Sequence, residues 1–177
     1  MHWTKLEQIQ NSDDWKGNLG LYLDIDLQNS SPKPGTISGL SVVFYRENNP
    51  EEKYLIEFMN FRVLDSTKVQ WAESEEKLPL LLRPWERLNK VAKFVYASAE
   101  QFPVSQGIYV IEVLVFLEGL QRAEVSSRLR VDLSKDLVDE YAYRRSHQST
   151  KLLGPSPVGY IPPKSRKLSD AEYRLLK

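Results

Sequence analysis

The sequence contains no cysteine among its 177 residues. Without a thiol, the chain can form no disulfide bond, no thiolate zinc site and no cysteine nucleophile. Histidine is almost as scarce, because His2 and His147 are the only two in the chain. A serine–histidine–aspartate triad would have to use one of these two residues.

The short motifs that usually reveal catalysis or nucleotide binding are also missing. The chain has no HExxH motif, no GxxxxGKS or GxxxxGKT phosphate loop, no GxGxxG loop and no GxSxG nucleophile elbow. We therefore expect no cofactor. A hydrolase-like enzyme, with a site assembled only in the folded chain, is the alternative to a non-catalytic function.

The charge of the chain does not favour any class of macromolecular partner. Lysine and arginine number 24, as do aspartate and glutamate, so the formal net charge is zero and no bulk attraction to nucleic acid arises. No stretch approaches the roughly 20 apolar residues of a membrane helix. The N-terminus shows no apolar segment typical of a signal peptide. We expect a cytoplasmic protein that binds neither nucleic acid nor membrane.

The stretch from Gly107 to Leu133 predicts a β-hairpin. Its turn falls at Glu118 and Gly119, where glycine permits the positive φ angle of a tight turn. One face of the first strand carries Tyr109, Ile111, Val113, Val115 and Leu117, and the other carries Ile108, Val110, Leu114 and Phe116, interrupted only by Glu112. A strand that is apolar on both faces is typical of a central position with cover on both sides.

We predict that the face interrupted by Glu112 is covered by the chain after Ser134 or by a symmetric partner chain. An open row of large apolar side chains would form an unusually adhesive patch on the surface. The residues expected to supply the cover are Leu137, Tyr141, Tyr160 and Ile161.

Other strands are predicted where apolar and polar residues alternate or where β-prone residues cluster. They lie at residues 19–28, from Ile37 to Phe44, at 53–64, at 69–72 and at 88–96, where a helix is the alternative. Loops are predicted at 29–36 and 47–52. The chain then divides into an N-terminal arm (1–18), a β domain (19–133), a helix (134–148) and a proline-rich basic tail (149–177). Within the tail, residues 154–167 read as a linker, and Ser169 and Glu172 have the spacing of a helix-capping box.

Three segments of the β domain resemble immunoglobulin-like domains. Gly107-Ile108-Tyr109-Val110-Ile111 resembles the tyrosine corner, in which a tyrosine hydroxyl bonds back to the chain upstream. The stretch from Asn29 to Ile37 resembles a first hairpin, and Leu78-Pro79 to Glu86 resembles the lead into a later strand. The likeness is to uncharacterised bacterial immunoglobulin-like domains over roughly residues 19–133.

This resemblance implies an immunoglobulin-like antiparallel β-sandwich of seven to eight strands. The short C-terminal helix and the tail predicted from the residues themselves follow it. Tyr109 should then be buried, with its hydroxyl bonded to the backbone of the preceding loop. The resemblance transfers no active site, because this architecture hosts many unrelated functions.

A group of aromatic and basic side chains near the end of the predicted helix is the candidate binding site. Its members are Tyr141, Tyr143, Arg144, Arg145 and His147. Arginine beside aromatic rings suits recognition of phosphate or of a protein surface. A structural alternative is that Tyr141 packs inward while the arginines favour the helix C-terminus.

Four acidic residues near the N-terminus, Asp13, Asp14, Asp24 and Asp26, raise the question of a calcium site. Calcium sites gather oxygen ligands mainly from loops, whereas mid-strand aspartates usually face water. We therefore expect no metal site. The sequence favours a non-catalytic binding or assembly module whose partner is a protein, either another subunit or a second copy of this chain.

Overall fold

The computed structural model describes residues 2–9, 18–65, 70–96, 104–120, 122–139 and 165–177. Over these ranges the chain forms ten strands and a C-terminal helix. The strands are β1 (His2–Ile9), β2 (Asn18–Gln28), β3 (Gly35–Arg46), β4 (Asn49–Asp65), β5 (Gln70–Glu73), β6 (Leu80–Leu82), β7 (Arg87–Tyr96), β8 (Gly107–Leu117), β9 (Glu124–Leu133) and β10 (Arg166–Leu168), and the terminal helix spans Asp170–Leu176. A helical turn at residues 135–139 follows β9.

The strands form one antiparallel sheet that curls and stays open. Its order is β1-β2-β7-β4-β3-β8-β9, while β5 and β10 pair with β4 and β6 pairs with β3. The curl arises along β4, which pairs with β3 up to Glu57 and with β7 from Glu57 to Arg62. A bulge between Phe58 and Asn60 lies on the β7 side, and bulges bend a strand and increase its twist. The prediction of a mostly antiparallel β fold with a short terminal helix is confirmed.

The curl encloses a main apolar core between the two halves of the sheet. Buried side chains from β2 and β7 on one half and from β3 and β8 on the other belong to a single cluster that includes Leu21, Leu23, Ile25, Ala92, Phe94, Tyr96, Leu40, Val42, Phe44, Ile111 and Val113. The odd-numbered residues of β2 from Leu21 to Leu27 are all buried. The period-two pattern in the sequence therefore predicted both the strand and its inward face correctly.

Tyr109 occupies the position that the sequence predicted. Its side chain is 2% exposed, and its ring stacks on Phe44 with the centroids 4.7 Å apart. The hydroxyl donates to the Ser105 carbonyl at 3.0 Å and accepts from the Ser105 amide at 3.2 Å. Each such hydrogen bond contributes about 0.5–1.5 kcal/mol to stability. The predicted burial and backbone bond are confirmed.

Two predicted loops are shorter in the structure. The loop proposed for residues 47–52 is a tight turn at Glu47 and Asn48, because β4 already begins at Asn49 and pairs with Arg46. The linker proposed for residues 154–167 ends earlier, because Arg166 belongs to β10. Both errors have the same cause: strand pairing supplies partners to polar residues that have no strand signal of their own.

Candidate functional site

The outer face of β3, β4 and β8 is covered by residues 165–177, which we call the C-terminal segment. Strand β10 pairs antiparallel with β4, placing Leu168 opposite Lys53. Beneath it lies a second apolar cluster, separate from the main core, formed by Val43, Leu55, Leu114, Ala123 and Leu168, with Tyr45, Phe116, Tyr173 and Leu176 packed against it. Leu168 is 3% exposed, although it belongs to a three-residue strand. The C-terminal segment thus closes the face that the hairpin left apolar.

A capping box begins the terminal helix directly after β10. The Ser169 side chain accepts from the Glu172 amide, and the Glu172 side chain accepts from the Ser169 amide. This arrangement confirms the capping box that the sequence predicted. At the other end, the Ala123 amide donates to the Leu176 carbonyl at 2.8 Å. The β8–β9 connection therefore holds the last turn of the helix.

Glu112 lies at the centre of this covered face and is fully buried. Its Oε1 accepts from the Tyr45 hydroxyl at 3.1 Å and pairs with Arg128 Nη2 at 2.7 Å. Its Oε2 accepts from the Tyr173 hydroxyl at 2.5 Å and pairs with Lys177 Nζ at 3.0 Å. We call these five residues the Glu112 cluster. Two of its donors come from neighbouring strands and two from the C-terminal segment.

The surroundings of Glu112 keep its carboxyl group ionised. Burial alone would raise the pKa of Glu112, but hydrogen bonds from Tyr173 and Lys177 and the nearby positive charges outweigh it, so the pKa lies below its ordinary value. Burial and the adjacent carboxylate raise the pKa of Tyr45 to about 12 and also raise that of Tyr173. At neutral pH the carboxylate therefore accepts from two protonated tyrosines.

Polar contacts also fix the edges of the C-terminal segment. Lys167 Nζ pairs with Glu52 at 2.6 Å, and Lys53 Nζ pairs with Asp170 at 3.2 Å. These pairs are partly exposed and each contributes about 1 kcal/mol or less. The Ser165 hydroxyl donates to the Val95 carbonyl at 2.7 Å in a buried position. Such contacts set the register of the segment more than the strength of its binding.

The prediction that the chain after Ser134 covers this face is confirmed, although Leu137, the one described residue of the four expected to supply the cover, does not do so. Leu137 is 38% exposed and does not belong to the apolar cluster. Tyr141, Tyr160 and Ile161 lie outside the described residues. The side chains that do supply the cover, Leu168, Tyr173 and Leu176, come from the last part of the tail. Tyr173 and Leu176 stand three apart on the capped helix, a spacing that places both on one face.

A cavity of about 630 Å³ opens at one end of the curled sheet. The end of β2, the following loop, the start of β3, and parts of β6, β8 and β9 surround it. Its inner wall is aliphatic, formed by Ile25, Leu27, Ile37, Leu40, Leu82, Val113, Val115 and Leu117. Its rim is polar and includes Asp26, Asn29, Ser31, Lys33 and Glu124.

The candidate residues from the sequence are not brought together in the described structure. Tyr141, Tyr143, Arg144, Arg145 and His147 all lie outside the described residues, so that site stays a prediction.

The acidic residues considered for calcium also do not form a described site. Asp13 and Asp14 are outside the described ranges, while Asp26 binds Arg87 through both of its oxygens. Within those ranges, no three histidine or acidic residues are grouped as metal ligands would be. No helix in the same part of the chain is long and apolar enough to cross a membrane.

Comparison with protein-family models and with curated proteins gives no relative from which a site could be carried over. No protein-family model matches the sequence, and no curated protein is significantly similar to it.

Proposed function

We propose that this protein is a non-catalytic assembly module whose outer sheet face is a receptor for a strand-plus-helix segment. Its own C-terminal segment is then the intramolecular occupant of that face. The observation that carries the proposal is the Glu112 cluster, because a buried carboxylate at the centre of the face accepts two hydrogen bonds or ion pairs from the segment.

The way in which the segment is held supports exchange with a partner. Only Ser165 and Leu168 in the segment are buried, and the remaining contacts are half-buried or exposed. Ordering each residue costs about 1–2 kcal/mol of backbone entropy, whereas fully burying a leucine returns about 1.5–3 kcal/mol. The net free energy of docking is therefore small, and a competing segment with the same features can replace the C-terminal segment.

The chemistry of the face defines the partner. The partner would supply a strand for the edge of β4 next to Lys53 and Leu55, combined with a helical turn whose apolar side packs on the sheet. These two modes, strand addition and helix packing, recur in peptide recognition. Glu112 adds specificity, since a segment without a hydroxyl and a cation to reach it would leave a buried charge partly unpaired. Such a segment can belong to another subunit or to a second copy of this chain.

The finer features of the sequence interpretation belong to the same proposal. We infer an immunoglobulin-like sandwich from the tyrosine-corner contacts of Tyr109 and from the two sheet halves around one core. We also propose a cytoplasmic location and a protein partner, as expected from the sequence. A triad-based hydrolase, the alternative function, would need His2 or His147, and no described contact favours it.

The proposal is tested by adding the segment in trans. A full-length chain carrying Leu168→Asp has a weakened segment of its own, and a fluorescent peptide of residues 165–177 is titrated into it. We expect saturable binding by fluorescence anisotropy, and weaker binding to the unsubstituted chain, where the tethered segment competes at high effective concentration.

Matched peptides control for non-specific adhesion. A peptide with Tyr173→Phe loses the hydroxyl that donates to Glu112, and we expect it to bind more weakly. A peptide with Leu175→Ala should bind normally, because Leu175 is 71% exposed in the docked helix. Equal binding of all peptides, or of none, would contradict the proposed receptor face.

A further inference from the structure

The cavity at the end of the curled sheet lies on the opposite side of β3 and β8 from the Glu112 cluster. It occupies the position where the sheet fails to close. Strand β1 pairs with β2 only as far as His2 opposite Asp24, so residues Ile25 to Gln28 extend beyond it. Those residues and β9, which ends the other side of the sheet order, both line the cavity.

The lining indicates the kind of ligand that fits. Eight leucine, isoleucine and valine side chains and Pro34 line the cavity, and none of the lining residues in the described part of the chain is aromatic. Ligand sites in proteins usually measure about 300–1,000 Å³ and combine apolar walls with a few polar groups. Aliphatic walls without an aromatic face suit an alkyl chain better than a planar ring system.

The rim of the cavity is built in advance. The Asn29 side-chain amide donates to the carbonyl of Lys33 at 2.8 Å and to the carbonyl of Arg83 at 3.0 Å. Its oxygen accepts from the Ser31 amide at 3.0 Å, and the Ser31 hydroxyl accepts from the Lys33 amide at 3.1 Å. The Asn29 side chain therefore connects the loop at residues 29–34 to the chain after β6. A binding mouth of this kind needs little ordering when a ligand enters.

The charges at the rim distinguish the possible head groups. Asp26 is already neutralised by Arg87, which donates to both of its oxygens. Lys33 is on the preformed loop beside the serine hydroxyls, which are hydrogen-bond donors, and Glu124 stands on β9. A carboxylate only accepts hydrogen bonds, so it matches the loop with its ammonium and hydroxyl donors.

We propose that this cavity binds a linear alkyl carboxylate, with the chain between the sheet halves and the head group at Lys33. The site is independent of the proposed receptor face. A ligand there would contact Ile25 and Val113, which belong to opposite halves of the sheet.

The test is a titration of the full-length, methyl-labelled protein with decanoate, followed by NMR. We expect the methyl signals of Ile25, Ile37 and Val113 to shift together and to saturate. Decanol should bind more weakly than decanoate, decylamine more weakly still, and the aromatic acid naphthoate should leave these signals in place.

Variants separate a real site from surface adhesion. Lys33→Glu should weaken decanoate binding by about two- to fivefold, as expected for an exposed ion pair, and should leave decanol binding unchanged. Lys77→Glu is the matched control, since Lys77 is exposed and does not line the cavity. Leu117→Trp should fill the cavity and abolish binding, whereas Leu81→Trp, at a position that is 60% exposed, should not. The proposal is overturned if decanoate shifts none of these methyl signals, or if decylamine or naphthoate binds more tightly than decanoate. It is also overturned if the Lys33→Glu and Leu117→Trp variants bind decanoate with the affinity of the unsubstituted chain.

Discussion

Replacing Leu168 with aspartate should release the C-terminal segment from the sheet while the main core stays folded. Leu168 is the one large apolar side chain of the segment that is buried, and it belongs with Leu55 and Leu114 to the second apolar cluster. Lys53, which lies opposite Leu168, already pairs with Asp170, so a carboxylate buried at this position is costly and undocking costs less. We expect the free energy of unfolding to fall by about 1.5–3 kcal/mol, the contribution of one buried leucine, with the docking free energy of the segment as the upper limit.

Release of the segment has a second readout that distinguishes it from general destabilisation. Uncovering Leu114 and Phe116 exposes an apolar patch, so binding of a hydrophobic dye should rise in the native baseline, before unfolding begins. Leu175→Asp is the matched control, because it places the same charge on the exposed side of the same helix. If both variants behave alike, or if Leu168→Asp changes neither stability nor dye binding, the segment does not cover the face as described.

Glu112→Gln should produce the other large effect, because it keeps the shape of the side chain and removes its charge. The glutamine amide can accept through one oxygen only, so the donors of the Glu112 cluster lose part of their charge-assisted bonding. Arg128 is largely exposed and Lys177 partly so, and both can turn toward water. We expect a loss of about 1.5–3 kcal/mol, typical of hydrogen bonds to a charged group. Glu124→Gln, on the neighbouring strand but exposed, is the control.

The pH dependence of the stability difference between the unsubstituted chain and the Glu112→Gln variant identifies the Glu112 carboxylate as the source of that difference. Folding lowers the pKa of Glu112, so its stabilisation is present above the unfolded-state pKa and is lost as the pH falls through the folded-state pKa. Folding raises the pKa of Tyr45 to about 12, so its stabilisation is fully present below the ordinary tyrosine pKa and is lost as the pH rises through the folded-state pKa. Urea denaturation across the acid range should therefore show the unfolding free energies of the unsubstituted chain and of the Glu112→Gln variant converging as the pH falls. A gap that stays constant down to acid pH would contradict the assignment.

The parts of the fold that the sequence predicted are those with a local signal. Alternation specified β2 and its inward face, and the preference for a strand at residues 88–96 over a helix is correct because Ala92, Phe94 and Tyr96 all point into the core. The capped helix at Ser169 was also readable, since the capping box needs only two residues three positions apart.

Strand β10 could not be predicted in the same way. Arg166, Lys167 and Leu168 follow a stretch rich in proline and glycine and have no alternation of their own. They become a strand because the edge of β4, far away in the sequence, is available to them and places Lys167 opposite Tyr54. Pairing over such distances is invisible to any local pattern.

The sequence indicated only part of the Glu112 cluster. Glu112 was recognised as the single charge on an apolar face, but its partner was not. A two-residue turn at Glu118 and Gly119 would place Glu112 opposite Val125. In the structure the connection is longer, and a bulge follows Val113, so Glu112 lies opposite Arg128. Register, which depends on the turn and the bulge, decides whether a buried carboxylate finds its cation.

Native-state hydrogen exchange on the unmodified chain tests most directly whether the C-terminal segment is a separable occupant of the sheet. We predict that the amides of residues 166–168 and of the terminal helix exchange through a common opening. Its free energy should be lower than that of the core amides of Val42 and Ile111, and its dependence on denaturant should be slight. If these amides instead exchange only with global unfolding, at the free energy and denaturant dependence of the core, the segment is an integral part of the domain and the proposed receptor face is contradicted.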